Sequence, residues 1–186
     1  MLFRSTAVND GPTNTVPGSQ TVAEDTALVI SGIAINDVDA GGATVTVTLS
    51  VASGTLTVST NAVGGVTDGA ISGNGSSSIT ISGSQTAINA TLADALGVTY
   101  LGNANFSGSD VLAVVTNDLG NSGAGGPLTD SDNVAITVTA VNDGPTNTVP
   151  GSQTVAEDTA LVISGIALND VDAGGATVTV TLSVAS

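Results

Sequence analysis

The feature that most constrains this chain is an internal repeat. Residues 7–53 recur as residues 140–186, and of the 47 aligned positions only one differs, Ile35 against Leu168. Segments this alike belong to the same structural unit, so the 186 residues read as part of a tandem array with a period of 133 residues. Residues 11–143 read as one complete repeat. Residues 1–10 read as the end of a preceding repeat with its connector, and residues 144–186 as the N-terminal part of the next.

Within the repeat, apolar and polar residues alternate in short runs between clusters of Gly, Asn, Asp and Ser, the pattern of half-buried strands. The runs are residues 20–22, 27–33, 44–51, 55–59, 78–82, 98–101, 111–116 and 134–141. Apolar residues make up 41% of the chain, mostly Val, Ala, Ile and Leu beside abundant Thr, with only two Phe and one Tyr. A core of small β-branched pieces favours strands, and so many short strands predict an all-β, Ig-like Greek-key β-sandwich. Only residues 86–96, with Ile88, Leu92 and Leu96 at helical spacing, compete as one or two turns of helix. Tyr100 and Phe106 are expected to anchor the core.

Charge narrows the function. Sixteen Asp and Glu face a single basic residue, Arg4, with no Lys, His or Cys, for a net charge of −15. Nucleic acid and anionic membranes are held by Lys and Arg, so neither is an expected partner. No apolar run of about 18 residues exists to insert in a bilayer. Residues 1–5 lack the apolar stretch of a signal peptide. Catalysis would have to rest on a carboxylate pair in the glycosidase manner, without the aromatic residues that line sugar clefts, and the chain is read as no enzyme.

Thirteen of the sixteen acids fall in short motifs. The first copy has Asn9-Asp10-Gly11-Pro12, Glu24-Asp25 and Asp37-Val38-Asp39-Ala40-Gly41; the second has Asn142-Asp143-Gly144-Pro145, Glu157-Asp158 and Asp170-Val171-Asp172-Ala173-Gly174. Asp118, Asp130 and Asp132 complete the set. An Asp-x-Asp loop offers hard oxygens on one side of a turn, which suits the six to eight oxygen ligands of Ca²⁺ better than the tight octahedron of Mg²⁺. Zn²⁺ lacks its His and Cys ligands. The same residues also suit plain turns, since Asn and Asp bond their own backbone. Asp25 reads as a turn residue, Asp130 and Asp132 equally as a solvated loop, and Asp68, Asp94 and Asp110 as ordinary surface acids. A strand over residues 27–33 rises about 3.3 Å per residue, putting Glu24 and Asp37-Asp39 at opposite ends of the unit.

In order and spacing, these motifs resemble the cadherin-type repeats of large bacterial surface adhesins of the RTX type. Asn142-Asp143-Gly144-Pro145 and Asn9-Asp10-Gly11-Pro12 resemble the family's connector, Glu24 its early glutamate, Asp37-Val38-Asp39-Ala40-Gly41 its Asp-x-Asp loop, and Thr116-Asn117-Asp118-Leu119-Gly120 its later motif. The connector's leading Asp is Ala7 or Ala140 here, and no counterpart of the family's mid-domain Asp-x-Glu stands near Tyr100–Phe106.

The resemblance implies a cadherin-like sandwich in tandem array that holds Ca²⁺ through Asn9, Asp10, Glu24, Asp37, Asp39, Asp118, Asn142, Asp143, Asp170 and Asp172, with fewer ions per junction than animal cadherins. It implies a calcium-stabilised extender repeat of an exported bacterial adhesin, secreted to the cell surface, that spaces a distal adhesive domain from the cell in adhesion and biofilm formation. Its partners would be neighbouring repeats, with homophilic or host and matrix contacts. The alternative is a carbohydrate- or protein-binding module acting through its loops, of which residues 64–77 form the longest.

Overall fold

The computed structural model describes residues 6–184; Arg4 and the leader reading of residues 1–5 lie outside them. The chain divides into two units, Met1–Ala140 and Val141–Ser186.

The first unit is all-β and sandwich-like. Among the described residues its strands are β1 (Thr13–Thr15), β2 (Gln20–Ala23), β3 (Leu28–Val29), β4 (Ala34–Asn36), β5 (Thr44–Ser50), β6 (Gly54–Val58), β7 (Ile71–Ser72), β8 (Ser78–Ser84), β9 (Val98–Gly102), β10 (Gly108–Asn117) and β11 (Thr129–Thr139), with one α-helix, α1 (Gln85–Leu92), and a short 3-10 helix over Asp68–Ala70. A six-stranded sheet runs β2-β11-β10-β5-β8-β7, and a three-stranded sheet runs β3-β9-β6. The pairings are antiparallel except β2 with β11, where Gln20–Ala23 lies parallel to Ile136–Thr139. After β5 the chain crosses to the small sheet as β6, returns as β7 and β8 to extend the large one, and crosses again as β9.

Alternation builds the core. Val45, Val47 and Leu49 of β5, Ile79 and Ile81 of β8, Leu112 and Val114 of β10, and Leu56, Val98 and Tyr100 of the small sheet are fully buried in one cluster. Each such aliphatic side chain contributes about 1.5–3 kcal/mol on burial, so the small-residue core works through number. Phe106 packs against its edge.

Three expectations change. The run over residues 27–33 is not one strand: β3 ends at Val29, the chain turns at Gly32 (φ 85°), and β4 starts at Ala34. The left-handed conformation at Gly32, costly for other residues, passes the chain from a β9 partner to a β1 partner, forming the β1-β4 ribbon through Thr13↔Asn36 and Thr15↔Ala34. Beyond that, β11 begins at Thr129, so Asp130 and Asp132 belong to a strand and not to a loop. Lastly, Asp110 is not a surface acid; it is 4% exposed.

Asp110 accepts N–H bonds from Ala52 (3.1 Å), Ser53 (2.9 Å) and Val111 (2.8 Å) and the Tyr100 hydroxyl (3.1 Å). Burial pushes its carboxyl up, but the backbone donors and the phenol outweigh it and hold the group below the usual carboxylate value. Burial first, then the bond to Asp110 and its charge, push the Tyr100 phenol up to about 12.

The second unit repeats residues that are core in the first, but among its described residues it carries only β12 (Thr146–Thr148) and β13 (Ala167–Asn169), paired like β1 and β4. Ile163 and Leu182 are 53% and 73% exposed, where their counterparts Ile30 and Leu49 are at 0%. The partners of those counterparts, β8 to β10, come from residues 54–139. No helix among the described residues is long and apolar enough to cross a membrane.

The Asp110–Tyr100 pair predicts a two-sided pH profile. Asp110 is depressed when folded, so its stabilisation is present above an unfolded carboxylate pKa of about 3.9 and is lost as pH falls past that value. Tyr100 is raised, so its contribution is present below about 10 and is lost as pH climbs from there towards 12. Urea unfolding across pH is expected to show both limbs, with the alkaline limb reduced in Tyr100→Phe. Asp110→Ala, which strands buried donors, is expected to lose about 3 kcal/mol at pH 7.

Candidate metal centre at the connector end of the first unit

Two elements and two loops converge at one end of the first unit. The connector, residues 7–10, lies against the loop that follows β10; Val8 forms a parallel bridge with Ala124, Asn9 N–H donates to the Ala124 carbonyl (3.2 Å) and Ala124 N–H to the Ala7 carbonyl (2.9 Å). Asp118, at the end of β10, is fully buried. One of its oxygens accepts from Gly120 N–H (2.8 Å) and Leu128 N–H (2.7 Å), the other from the Asn9 side-chain amide (2.6 Å). Burial pushes the Asp118 carboxyl up, and these donors outweigh it, holding the group ionised below the usual carboxylate range.

The Asp-x-Asp loop closes on the connector from the other side. Asp37 accepts at Oδ1 from Asp39 N–H (2.8 Å) and Ala40 N–H (3.0 Å), an Asx turn made by the loop's own sequence. Asp39 in turn accepts at Oδ2 from Asp10 N–H (2.6 Å). A continuous chain of bonds therefore runs Asp118, Asn9, Asp10, Asp39, Asp37. Helix α1 braces it: Gln85 accepts from Asp37 N–H (2.7 Å), while the Asn89 amide donates to the Ile35 carbonyl (2.8 Å) and accepts from Ile35 N–H (2.9 Å), replacing a strand neighbour for β4.

Two oxygens in this network have no hydrogen-bond donor. Asn9 Oδ1 and Asp37 Oδ2 are buried without a partner, in residues 7% and 6% exposed. The Asn9 amide nitrogen is engaged by Asp118 and by the Gly126 carbonyl (3.2 Å), which fixes the nitrogen on that side and leaves the oxygen facing away from both. A buried acceptor without a donor costs about 1–3 kcal/mol; a cation satisfies it. The donors at hand are hard oxygens, which fit Ca²⁺. Among the described residues, no group of three or more acidic side chains is placed to hold a metal ion, and the second unpartnered oxygen here belongs to an amide.

The remaining sequence-derived residues are elsewhere. Glu24 is buried at the far end of β2, its N–H donating to the Thr139 carbonyl (2.9 Å). Asp25, at φ 55°, accepts from Asn105 N–H (3.1 Å) at that same end. Asp130 receives Asn14 N–H (2.6 Å), which ties β1 to β11, and the N–H of its neighbour Ser131 (2.9 Å). In the second unit, Asp172 N–H and Ala173 N–H donate to Asp170 (both 3.1 Å), and Asp143 N–H donates to Asp172. The loop therefore forms in both copies, although Asn142 is exposed where Asn9 is buried. Sequence reasoning missed Gln85, Asn89 and residues 123–126; only the polar faces of α1 and the glycine run hinted at them.

No known family model matches the chain, and no curated protein or solved structure matches it.

Asp118 is part of the scaffold, whereas the side chain of Asp10 is exposed. In chelator, Asp118→Ala is expected to destabilise the first unit by about 3 kcal/mol because it strands the Gly120 and Leu128 donors. Asp10→Ala is expected to change it by less than about 0.5 kcal/mol. Urea midpoints of the two variants check the contrast.

Proposed function

We propose that this chain is a calcium-stabilised extender repeat of an exported bacterial cell-surface adhesin, with a cadherin-like Greek-key sandwich as its module. The observation that carries the reading is the pair of buried, donorless oxygens, Asn9 Oδ1 and Asp37 Oδ2, on a network that already joins connector to module. Asn9, Asp37 and Asp39 would hold the ion, with Asp10 and Asp118 at its margin. The order β2-β11-β10-β5 facing β3-β9-β6, with β2 parallel to β11, supports the cadherin-like assignment.

A bound ion would supply positive charge beside the Asp37 and Asp39 carboxylates. Asp118 stays ionised without it, because its donors are built in. Asp37 turns one oxygen towards backbone N–H groups and keeps the other for the ion; Asp39 ties its loop to Asp10. Binding therefore fixes the connector on the module that follows it, and a series of such modules becomes a rod that spaces an adhesive domain from the cell. Near-identical copies serve spacing, since recognition needs a distinct surface. Glu24 stands one strand length away and takes no part in this centre.

Extracellular calcium modules bind at about 10⁻⁴–10⁻³ M. At 10 mM Ca²⁺ the linkage stabilisation is about 1.4–2.7 kcal/mol, which for a unit of this size is about 5–10 °C in Tm. The rise is expected with Ca²⁺, to be smaller with Mg²⁺, and to vanish in Asp37→Asn. A chain whose Tm and calorimetric heat ignore 10 mM Ca²⁺ overturns the proposal.

A further inference from the structure

The loop between β10 and β11 has an unusual backbone. Leu119 (φ 60°), Gly120 (75°), Ser122 (64°), Gly123 (155°) and Gly125 (144°) all take positive φ within seven residues. Positive φ is costly for Leu and Ser, and the structure shows what the conformation achieves. At Gly123 an added Cβ would stand 2.4 Å from Asn9 N and 2.5 Å from the Val8 carbonyl carbon. The connector therefore lies directly on the backbone of Gly123, held by the reciprocal bonds between Ala124 and residues 7 and 9 and by the Gly126 carbonyl on the Asn9 amide. Asn121 ties the loop to the body through its amide, donating to the Thr44 and Asp118 carbonyls.

The chain contains its own comparison. Asn142 repeats Asn9 within an identical connector, yet it is exposed where Asn9 is 7% exposed. Asn9 is buried where residues 123–126 lie on the connector backbone and accept its amide.

We propose that residues 119–126 are a clasp that seats the incoming connector without any ion, and that Gly123 is the positioning residue that admits it. The clasp determines which way the Asn9 amide faces, and so presents Oδ1 as a ready ligand. Only this last consequence rests on the metal-centre reading; the seating itself does not.

Hydrogen exchange followed by NMR on the 186-residue chain in EGTA separates the two. The Asn9 and Ala124 amides are expected to exchange at least tenfold more slowly than Asn142, and to lose that protection in Gly123→Ala while Val47 and Val114 keep theirs. Ala124→Pro, which removes the donor to the Ala7 carbonyl and adds no atom at Gly123, is expected to lower the protection of the Asn9 amide. Gly64→Ala is the strain control: its φ is 75° with open space around it, and both amides should stay protected. Calcium titration is then expected to show at least tenfold weaker binding in Gly123→Ala than in the native chain or Gly64→Ala. Unprotected Asn9 and Ala124 in the native chain overturn the clasp. Unchanged calcium affinity in a deprotected Gly123→Ala overturns its positioning role. Protection in a native chain that binds no calcium leaves the clasp standing and removes the metal-centre reading.

Discussion

A chain with sixteen acids and one basic residue cannot neutralise buried carboxylates by ion pairing. Each buried acid must be satisfied by N–H and O–H donors or by a cation from outside, because an unpaired buried charge is prohibitively costly. Asp110 and Asp118 meet the requirement from within: four donors converge on the first, and two backbone N–H groups and the Asn9 amide on the second. Asp37 does not. One of its oxygens accepts two N–H bonds and the other is buried with none. Judged by this accounting, Asp37 is the acid the protein leaves incomplete, and Asn9 Oδ1 is the matching incomplete amide.

The same accounting shows what the sequence made legible. In β10 the inward-facing row is Asp110, Leu112, Val114 and Thr116, and the period of two continues to Asp118. An alternation argument extended by one step each way would have placed both acids inside, one at each end of the row. In the sequence only a motif marks Asp118, without placing it inside, and Asp110 reads as a surface acid because acids are seldom core residues. The strands of the large sheet are readable where one face is buried, but β7 (Ile71–Ser72), with no buried residue, lies inside residues 64–77, which read as a loop. The break at Gly32 is not readable, since it depends on β1 being near enough to pair with β4, and β1 is three residues without an apolar pattern. The helix was visible as Ile88 and Leu92 at helical spacing. Its role in bracing Ile35 and Asp37 through Asn89 and Gln85 is a contact across about fifty positions of sequence, which no local pattern encodes.

The repeated segment separates local from non-local causes. The Asp170-Asp172 turn and the β12-β13 ribbon form in the second unit as their twins do in the first, so they arise from their own residues. The counterparts of β2, β3 and β5 do not form there. In the first unit those strands pair with β11, β9, β10 and β8, all within residues 54–139. In the first unit the strand order draws on partners spread over the whole module, whereas the Asp-x-Asp turn is made by a few neighbouring residues in both copies.

That division bears on how an ion would act. On the proposed reading, the core needs no metal, because its own acids are satisfied and its apolar rows are closed. The connector is seated by backbone bonds to a glycine-rich loop, and only two oxygens are left wanting a positive partner. Calcium in this arrangement would not fold the module. It would raise the cost of lifting the connector off the module, because release would leave Asp37, Asp39 and the Asn9 amide to be solvated separately while the ion is lost. On that reading the hold on the connector would follow the free ion concentration, while the sandwich, whose own buried acids Asp110 and Asp118 are met by N–H and O–H donors, would keep its fold without the ion.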